Sequence, residues 1–288
     1  MRYRSNNILA FIPPTKEGEK ILKQTMFFQQ VLDMRIFVFN IIEKPSFFEK
    51  LLKPKKIIDL KKEALDYQHN FLHKRLPTET ASKYSVRVKT GNILKILLSQ
   101  AKKGGYEFMI IDKSAAIPGL GRYETDKIIS RSECPILTVY KDFYVDEIKK
   151  IVIPVDISQT TKKKLLWATY FAKKFNAEIK IVSALGLNIS SRKSLAWRNA
   201  EKLKQMLSER GVKCEVEVIK AKGQEKHLVI LDYIRKEAPG MVIIRTHQES
   251  NMSGTQIGKF VSELVHDCEI PVFTVNRYLY PMPVDFEI

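Results

Sequence analysis

The sequence predicts an α/β protein with two tandem, doubly wound domains, each of which contains a five-stranded parallel sheet. Three observations lead to this fold class: an internal repeat, the alternation of strand-like and helix-like segments in each copy, and the apolar character of the first and fourth strands. Short apolar runs are typical of strands that are buried on both faces. The βαβα order favours parallel sheets with right-handed crossovers.

The internal repeat divides the chain into two copies. The segment NNILAFIPP aligns without a gap with KKIVIPVDI, so that Ile8 matches Ile151. Later in each copy, MIID matches VIIR, and CPILTVY matches IPVFTVN. We therefore predict a first domain at residues 1–144 and a second at residues 145–288, and we refer to them as the first and second copies.

The elements follow the same order in both copies. The predicted strands of the first copy are Ile8–Ile12, Ile36–Ile41, Ser85–Lys89, Phe108–Ile111 and Ile136–Tyr140. Its predicted helices are Lys16–Leu32, Lys56–His73, Asn92–Lys102 and Tyr123–Arg131. The predicted strands of the second copy are Ile151–Val155, Glu178–Ala184, Cys214–Ile219, Met241–Ile244 and Val272–Val275. Its predicted helices are Gln159–Phe175, Ser191–Arg210, Gln224–Glu237 and Lys259–Asp267.

The last strand of each copy is an apolar edge that should be covered rather than left open. We predict that Ile136–Tyr140 and Val272–Val275 meet each other within one chain, which gives a pseudo-twofold monomer. The sequence leaves open whether this monomer also forms a homodimer.

The composition excludes several classes of protein. No apolar run approaches the ~18–20 residues that a membrane helix requires, so we expect a cytoplasmic protein without membrane insertion. The 49 Lys and Arg residues exceed the 32 Asp and Glu residues, which gives a formal charge of +17. Because this charge is spread along the chain, it favours solvated helix faces over one nucleic-acid-binding stripe. The cysteines form no CxxC motif and suggest no disulfide framework.

Polar residues at the ends of two strands of the second copy predict a ligand crevice. In a doubly wound sheet, ligands bind between the carboxyl ends of the strands on either side of the order reversal. If the first and fourth strands flank that point, Asp156 lies on one side and Arg245 on the other. Asp156 is expected to accept hydrogen bonds from an adenine amino group or a ribose hydroxyl.

The loop and helix that follow Arg245 carry groups suited to phosphate. Lys259, together with Arg245, supplies positive charge, and Ser253, Gly254 and Gly258 let the backbone approach an anion. A loop that meets the start of a helix also presents backbone N–H groups and the positive end of the helix dipole.

The matching positions of the first copy lack this chemistry. Pro13 stands where Asp156 does, Asp112 where Arg245 does, and Arg122 where Gly258 does. A proline and a carboxylate make a poor nucleotide crevice, so the first copy is interpreted as structural.

The segments IVIPVDIS, MVIIRTHQ and IGKFVSELVHDCEIPVFTV resemble a universal stress protein domain, and the repeat resembles the two-domain members of that family. The resemblance implies flavodoxin-like sheets and pairing of the domains through their last strands. In members that bind ATP, a Gly-x2-Gly-x9-Gly-Ser/Thr loop holds the phosphates, and an aspartate after the first strand meets the adenine. Asp156 matches that aspartate. The loop spacing is kept, but its residues are Arg245, Gln248, Gly258 and Lys259, so that only Gly258 agrees.

Two functional hypotheses follow. The first is a non-enzymatic stress-response protein whose second copy weakly binds ATP or a related adenine nucleotide. The alternative is an interaction or scaffold module that binds no nucleotide and uses its basic surface on an acidic partner. A slow ATP-hydrolysing enzyme is disfavoured because no general base or metal carboxylate is evident. His69 and His73 stand one helical turn apart without a third ligand, so no metal site is predicted.

Overall fold

The computed structural model describes residues 6–42, 54–140, 146–155, 162–186, 190, 194–246 and 257–276. The strands of the first copy are β1 (Asn7–Phe11), β2 (Arg35–Ile42), β3 (Tyr84–Thr90), β4 (Phe108–Asp112) and β5 (Ile136–Val139). Those of the second copy are β6 (Lys150–Pro154), β7 (Glu178–Leu185), β8 (Cys214–Lys220), β9 (Met241–Arg245) and β10 (Val272–Val275).

The helices alternate with the strands, as predicted. The helices of the first copy are α1 (Lys16–Leu32), α2 (Pro54–His73), α3 (Thr78–Ala81), α4 (Ile93–Lys103) and α5 (Arg122–Arg131). Those of the second copy are α6 (Lys162–Phe175), α7 (Leu195–Ser208), α8 (Lys226–Glu237) and α9 (Lys259–Asp267). The short helix α3 was not predicted, and the predicted boundary between residues 144 and 145 lies outside the described residues.

All ten strands belong to one sheet, in the order β3-β2-β1-β4-β5-β10-β9-β6-β7-β8. Within each copy the strands are parallel, and the first strand lies between the second and the fourth. The two copies therefore have the same flavodoxin-like strand order, which confirms the predicted fold class. No helix in the described part of the chain has the length and apolar character needed to cross a bilayer.

The two copies join where β5 and β10 pair in antiparallel fashion, as the sequence predicted for the last strands. Leu137 lies opposite Phe273, its counterpart in the repeat. The Oγ1 of Thr138 donates to the carbonyl of Val272, and the Oγ1 of Thr274 donates to the carbonyl of Ile136, both at 3.1 Å. These reciprocal bonds indicate a pseudo-twofold axis between β5 and β10, and we call this junction the seam.

An aromatic cluster fills one face of the seam. The ring of Phe273 packs against Phe108 of the first copy at 5.6 Å and against Trp167 of the second copy at 4.9 Å between centroids. Farther out, Phe27 of α1 stacks on Phe175 of α6 at 5.8 Å. Because the rings alternate between copies, the two halves share one hydrophobic core.

Polar contacts between α5 and α9 cover the seam on the other face of the sheet, where right-handed crossovers place these helices. Asp126 accepts a hydrogen bond from the hydroxyl of Ser262 at 2.8 Å, and its other oxygen lies 2.8 Å from Nε2 of His266. Arg122 forms an ion pair with Glu263 at 2.9 Å. The core and these pairs together hold the copies in one body.

Local signals set the ends of the helices. The Oγ1 of Thr15 accepts from the backbone N–H of Gly18 at 3.2 Å, so α1 begins where it was predicted to begin. Helix α7 begins at Leu195 rather than Ser191, because the hydroxyl of Ser194 caps its first turn. It also ends earlier than predicted, and the chain turns at Gly211 with a φ of 73°.

Candidate functional site

The point of order reversal in the second copy lies between β6 and β9, as the crevice prediction assumed. Arg245 is the last residue of β9 and is partly buried at the carboxyl edge of the sheet. The structure does not describe Asp156, Gln248, Ser253 or Gly254, so their place in the crevice stays a prediction.

The start of α9 faces this edge without a side-chain cap. Gly258 is the N-cap residue, has an extended backbone and is buried, and none of the described side chains caps the helix. The side chain of Lys259 is 65% exposed, and its Nζ lies 3.4 Å from Oε1 of Glu225. The predicted phosphate-binding lysine is therefore paired with a carboxylate that the sequence analysis did not single out.

A cavity of about 360 Å³ opens beside this ion pair. It is lined by Gly186 after β7, by the turn after β8, by the start of α8, and by Lys259 and Phe260 of α9. Its volume lies within the ~300–1,000 Å³ that is usual for small-molecule sites. The cavity thus lies beside the start of α9, on the side of β7 and β8.

The first copy closes the equivalent helix start with its own carboxylate. Oε2 of Glu124, in the first turn of α5, accepts from the backbone N–H of Gly121 at 3.0 Å. A carboxylate at this place satisfies an N–H group that would otherwise be available to an external anion. The first copy is therefore poorly suited to phosphate at this position.

Packing also fills the carboxyl edge of the first copy. The amide of Gln68, which is fully buried in α2, donates to the carbonyl of Ile12 at 3.2 Å. At Gly18, α1 approaches the chain so closely that a Cβ would overlap the carbonyl oxygen of Pro13. Asp112 is buried, and its Oδ2 accepts from the hydroxyl of Ser114 at 2.6 Å. These contacts fill the carboxyl edge of the first copy with its own side chains, and its structural role stays a prediction.

A buried lysine of the first copy contacts the second copy at the seam. The Nζ of Lys113 donates to the carbonyl of Ile270 at 3.1 Å. Its complete burial lowers the pKa of Lys113 from 10.5 to about 8, although nearby groups that include Cys268 and Asp112 oppose this effect. Lys113 therefore contributes to the joining of the copies rather than to a ligand site.

The histidines lie in three different surroundings. His266 is partly buried, and its Nε2 lies 2.8 Å from Asp126 at the seam. His69 and His73 are exposed on α2. His227 lines the cavity and lies at the start of α8.

Glu225 and His227 are the site residues that sequence reasoning missed. They lie just after Gly223, which repeats Gly91 of the first copy. That glycine marks the turn at the end of β8, where its φ is 87°. The repeat therefore located the turn, but it did not show that α8 begins beside Lys259.

Comparisons with known proteins agree with this architecture. Residues 147–276 match the model of the Universal stress protein family. A universal stress protein from Archaeoglobus fulgidus DSM 4304 has a TM-score of 0.65 and 13% identity, and the match covers 96% of this chain and 98% of that chain. A protein from Pseudomonas aeruginosa UCBPP-PA14, provisionally assigned to the same family, has a TM-score of 0.62 and 17% identity over 94% of this chain and 93% of that chain. Among curated proteins, none matches the sequence.

At these identities the structural matches show the fold, whereas the family model identifies the second copy by its sequence. Residues 147–276 therefore match the Universal stress protein family by their sequence, and the first copy has the same fold.

Proposed function

We propose that this chain is a non-enzymatic stress-response protein whose second copy weakly binds ATP or a related adenine nucleotide. The observation that carries this proposal is the difference between the two copies at one helix start. At the start of α5 the carboxylate of Glu124 accepts from the backbone N–H of Gly121, whereas no described side chain caps the start of α9, which borders a cavity. A helix start of this kind is suited to phosphate.

In this proposal the adenine or ribose bonds to Asp156, and the phosphates lie at the start of α9. Lys259 and Arg245 supply positive charge there, while Gln248, Ser253, Gly254 and Gly258 complete the loop. The ion pair between Lys259 and Glu225 opposes this arrangement, because a phosphate must displace the carboxylate or lie beside it. This competition is the physical reason for expecting weak affinity.

Isothermal titration of ATP into the full chain tests the proposal. Wild type should release heat on binding, and Asp156→Ala should release much less. Asp59→Ala, which removes an exposed aspartate from α2, is a matched control and should bind like wild type. Equal binding by wild type and Asp156→Ala would contradict the site.

A second candidate function, recognition of an acidic partner without nucleotide, is favoured by a separate basic cleft. Lys149, Lys173 and Lys213 line a cavity of about 450 Å³ at the amino edge of the second copy. Glu178 lies 3.9 Å from Lys213, so part of this charge is already compensated. Absence of ATP heat in every variant would favour this function, and binding of a polyanion that weakens steeply with salt would support it.

Catalysis is tested separately. Phosphate release from ATP, measured by a coupled assay, should not exceed the rate in buffer. Release that depends on the protein and is lost in Asp156→Ala would contradict the non-enzymatic proposal.

A further inference from the structure

Three side chains of metal-ligand type converge between α8 and α9. One nitrogen of His227 and one carboxylate oxygen each of Glu263 and Asp267 all lie within 4.8 Å of one another. His227 is the second residue of α8, while Glu263 and Asp267 are one turn apart on α9. Residues four apart on a helix project from the same face, so both carboxylates are directed to one side.

The imidazole of His227 lacks a satisfactory partner in the described part of the chain. The residue is only 9% exposed and makes no hydrogen bond to another described residue. Its nearest ionic neighbour is Oε2 of Glu225, and the 3.8 Å separation from Nδ1 is too long for a hydrogen bond. The imidazole lines the open cavity beside two carboxylates and has no close hydrogen-bond partner among the described residues, so it is available as a ligand.

The charges suit a divalent cation. Glu263 is already paired with a cation, the guanidinium of Arg122, at 2.9 Å. Two carboxylates balance the charge of a divalent ion, and imidazole binds such an ion in its neutral form. Arg122, which comes from the first copy, would remain as the hydrogen-bonding partner behind Glu263, as is common for metal-ligating carboxylates.

We propose that His227, Glu263 and Asp267 bind a divalent transition-metal ion of the zinc type at the edge of the seam. The nitrogen ligand favours such an ion over Mg²⁺ or Ca²⁺, which prefer oxygen. Tetrahedral ligands about 2.0–2.2 Å from zinc lie roughly 3.4 Å apart, so the three groups, which lie within 4.8 Å of one another, must close in by up to about 1.4 Å. Asp267 is exposed and free to make most of this adjustment. Water would fill the fourth position.

The sequence alone did not predict this site, because the histidine and the carboxylates lie on different helices. The expectation of no metal rested on the pair His69 and His73, which has no third ligand. The inference is also independent of nucleotide binding, since none of the three ligands requires a phosphate.

Titration of the tag-free, nucleotide-free chain with Co²⁺ and Zn²⁺ tests the inference. Co²⁺ should give d–d absorption at one ion per chain, and Zn²⁺ should displace it. Asp267→Asn and His227→Ala should each weaken affinity at least tenfold, by analogy with the ~10–100-fold loss for outer-sphere partners alone. The double variant His69→Ala, His73→Ala is the matched control and should bind like wild type.

Two results would overturn the inference. One is equal affinity in wild type and Asp267→Asn, and the other is loss of binding in the His69→Ala, His73→Ala variant. Because Asp267 is exposed, its substitution should leave the far-UV circular dichroism spectrum unchanged. If His227→Ala fails to fold, Asp267→Asn alone decides the outcome.

Discussion

Replacement of Phe273 by alanine should destabilise both copies together, because its ring joins them. Phe273 is fully buried at the seam. Its centroid lies 5.6 Å from that of Phe108 in the first copy, and 4.9 and 4.8 Å from those of Trp167 and Phe171 in the second copy. The truncated side chain would leave a cavity between rings that belong to different halves of the chain.

The expected loss of unfolding free energy is about 4–5 kcal/mol. Truncation of a buried phenylalanine to alanine costs roughly 3–5 kcal/mol, since the transfer free energy is lost and a cavity remains. The edge-on and tilted contacts of Phe273 with its aromatic neighbours place it in the upper part of that range. The corresponding fall in Tm is roughly 8–20 °C.

Urea denaturation, followed by both fluorescence and circular dichroism, measures this loss of unfolding free energy and shows whether both copies are affected. The two tryptophans, Trp167 and Trp197, belong to the second copy, so fluorescence reports on that copy. Far-UV circular dichroism reports on the helices of both copies. The two signals should change together in wild type and in Phe273→Ala, as expected for one cooperative unit.

Phe39→Ala provides the matched control, because Phe39 is equally buried in β2 of the first copy, away from the seam. If the halves share one core, this variant should also lower the midpoint of the tryptophan signal. The reasoning fails if Phe39→Ala leaves that midpoint unchanged. It also fails if Phe273→Ala loses less than about 1 kcal/mol, well below the usual range for such truncations.

Three further predictions concern the cavity, the buried lysine and the joined copies. Glu225→Gln should strengthen ATP binding about two- to fivefold in calorimetry. The reason is that an exposed ion pair worth ~0–1 kcal/mol no longer holds Lys259. Weaker binding in this variant would contradict the prediction and show that Glu225 assists the ligand. Burial lowers the pKa of Lys113 from 10.5 to about 8. Between these pH values the lysine is therefore protonated in the unfolded chain but largely neutral in the folded chain. The unfolding free energy of wild type should therefore rise by about 2–3 kcal/mol relative to Lys113→Met from pH 7 to pH 10. Parallel pH profiles for the two proteins, measured by urea denaturation, would contradict this. Cleavage of the chain near Asp146 should give halves that co-elute or aggregate on gel filtration, since each exposes an apolar strand; two soluble monomers would contradict the shared core.

Much of the fold was predictable because the signals that specify it are local or repeated. The bounds of α1, α9 and β10 agree with those predicted, since capping residues and apolar periodicity act within a few residues of each other. The pairing of β5 with β10 followed from two apolar edges that required cover. The repeat then implied that both copies share one strand order.

The candidate site was less predictable, because its contacts join segments that are distant in sequence. The ion pair of Lys259 with Glu225 and the cluster around His227 depend on how α8 and α9 pack. No periodic pattern specifies the relative position of two helix starts. The contact of Glu124 with the backbone N–H of Gly121 was not predicted either, and no described side chain makes a matching contact at the start of α9.

The contact between Asp126 and Ser262 has a consequence for how the two halves could have diverged. These residues occupy matching positions in the two copies, so an identical pair of subunits would place either two aspartates or two serines across the axis. Two carboxylates there would repel each other, and two serines would leave His266 without its acceptor. Two copies joined in one chain are free of this constraint, because a substitution in one copy does not change the matching position in the other copy. The first half of the chain therefore finds its matching polar groups in the second half of the same chain. The first half of another molecule would not supply them.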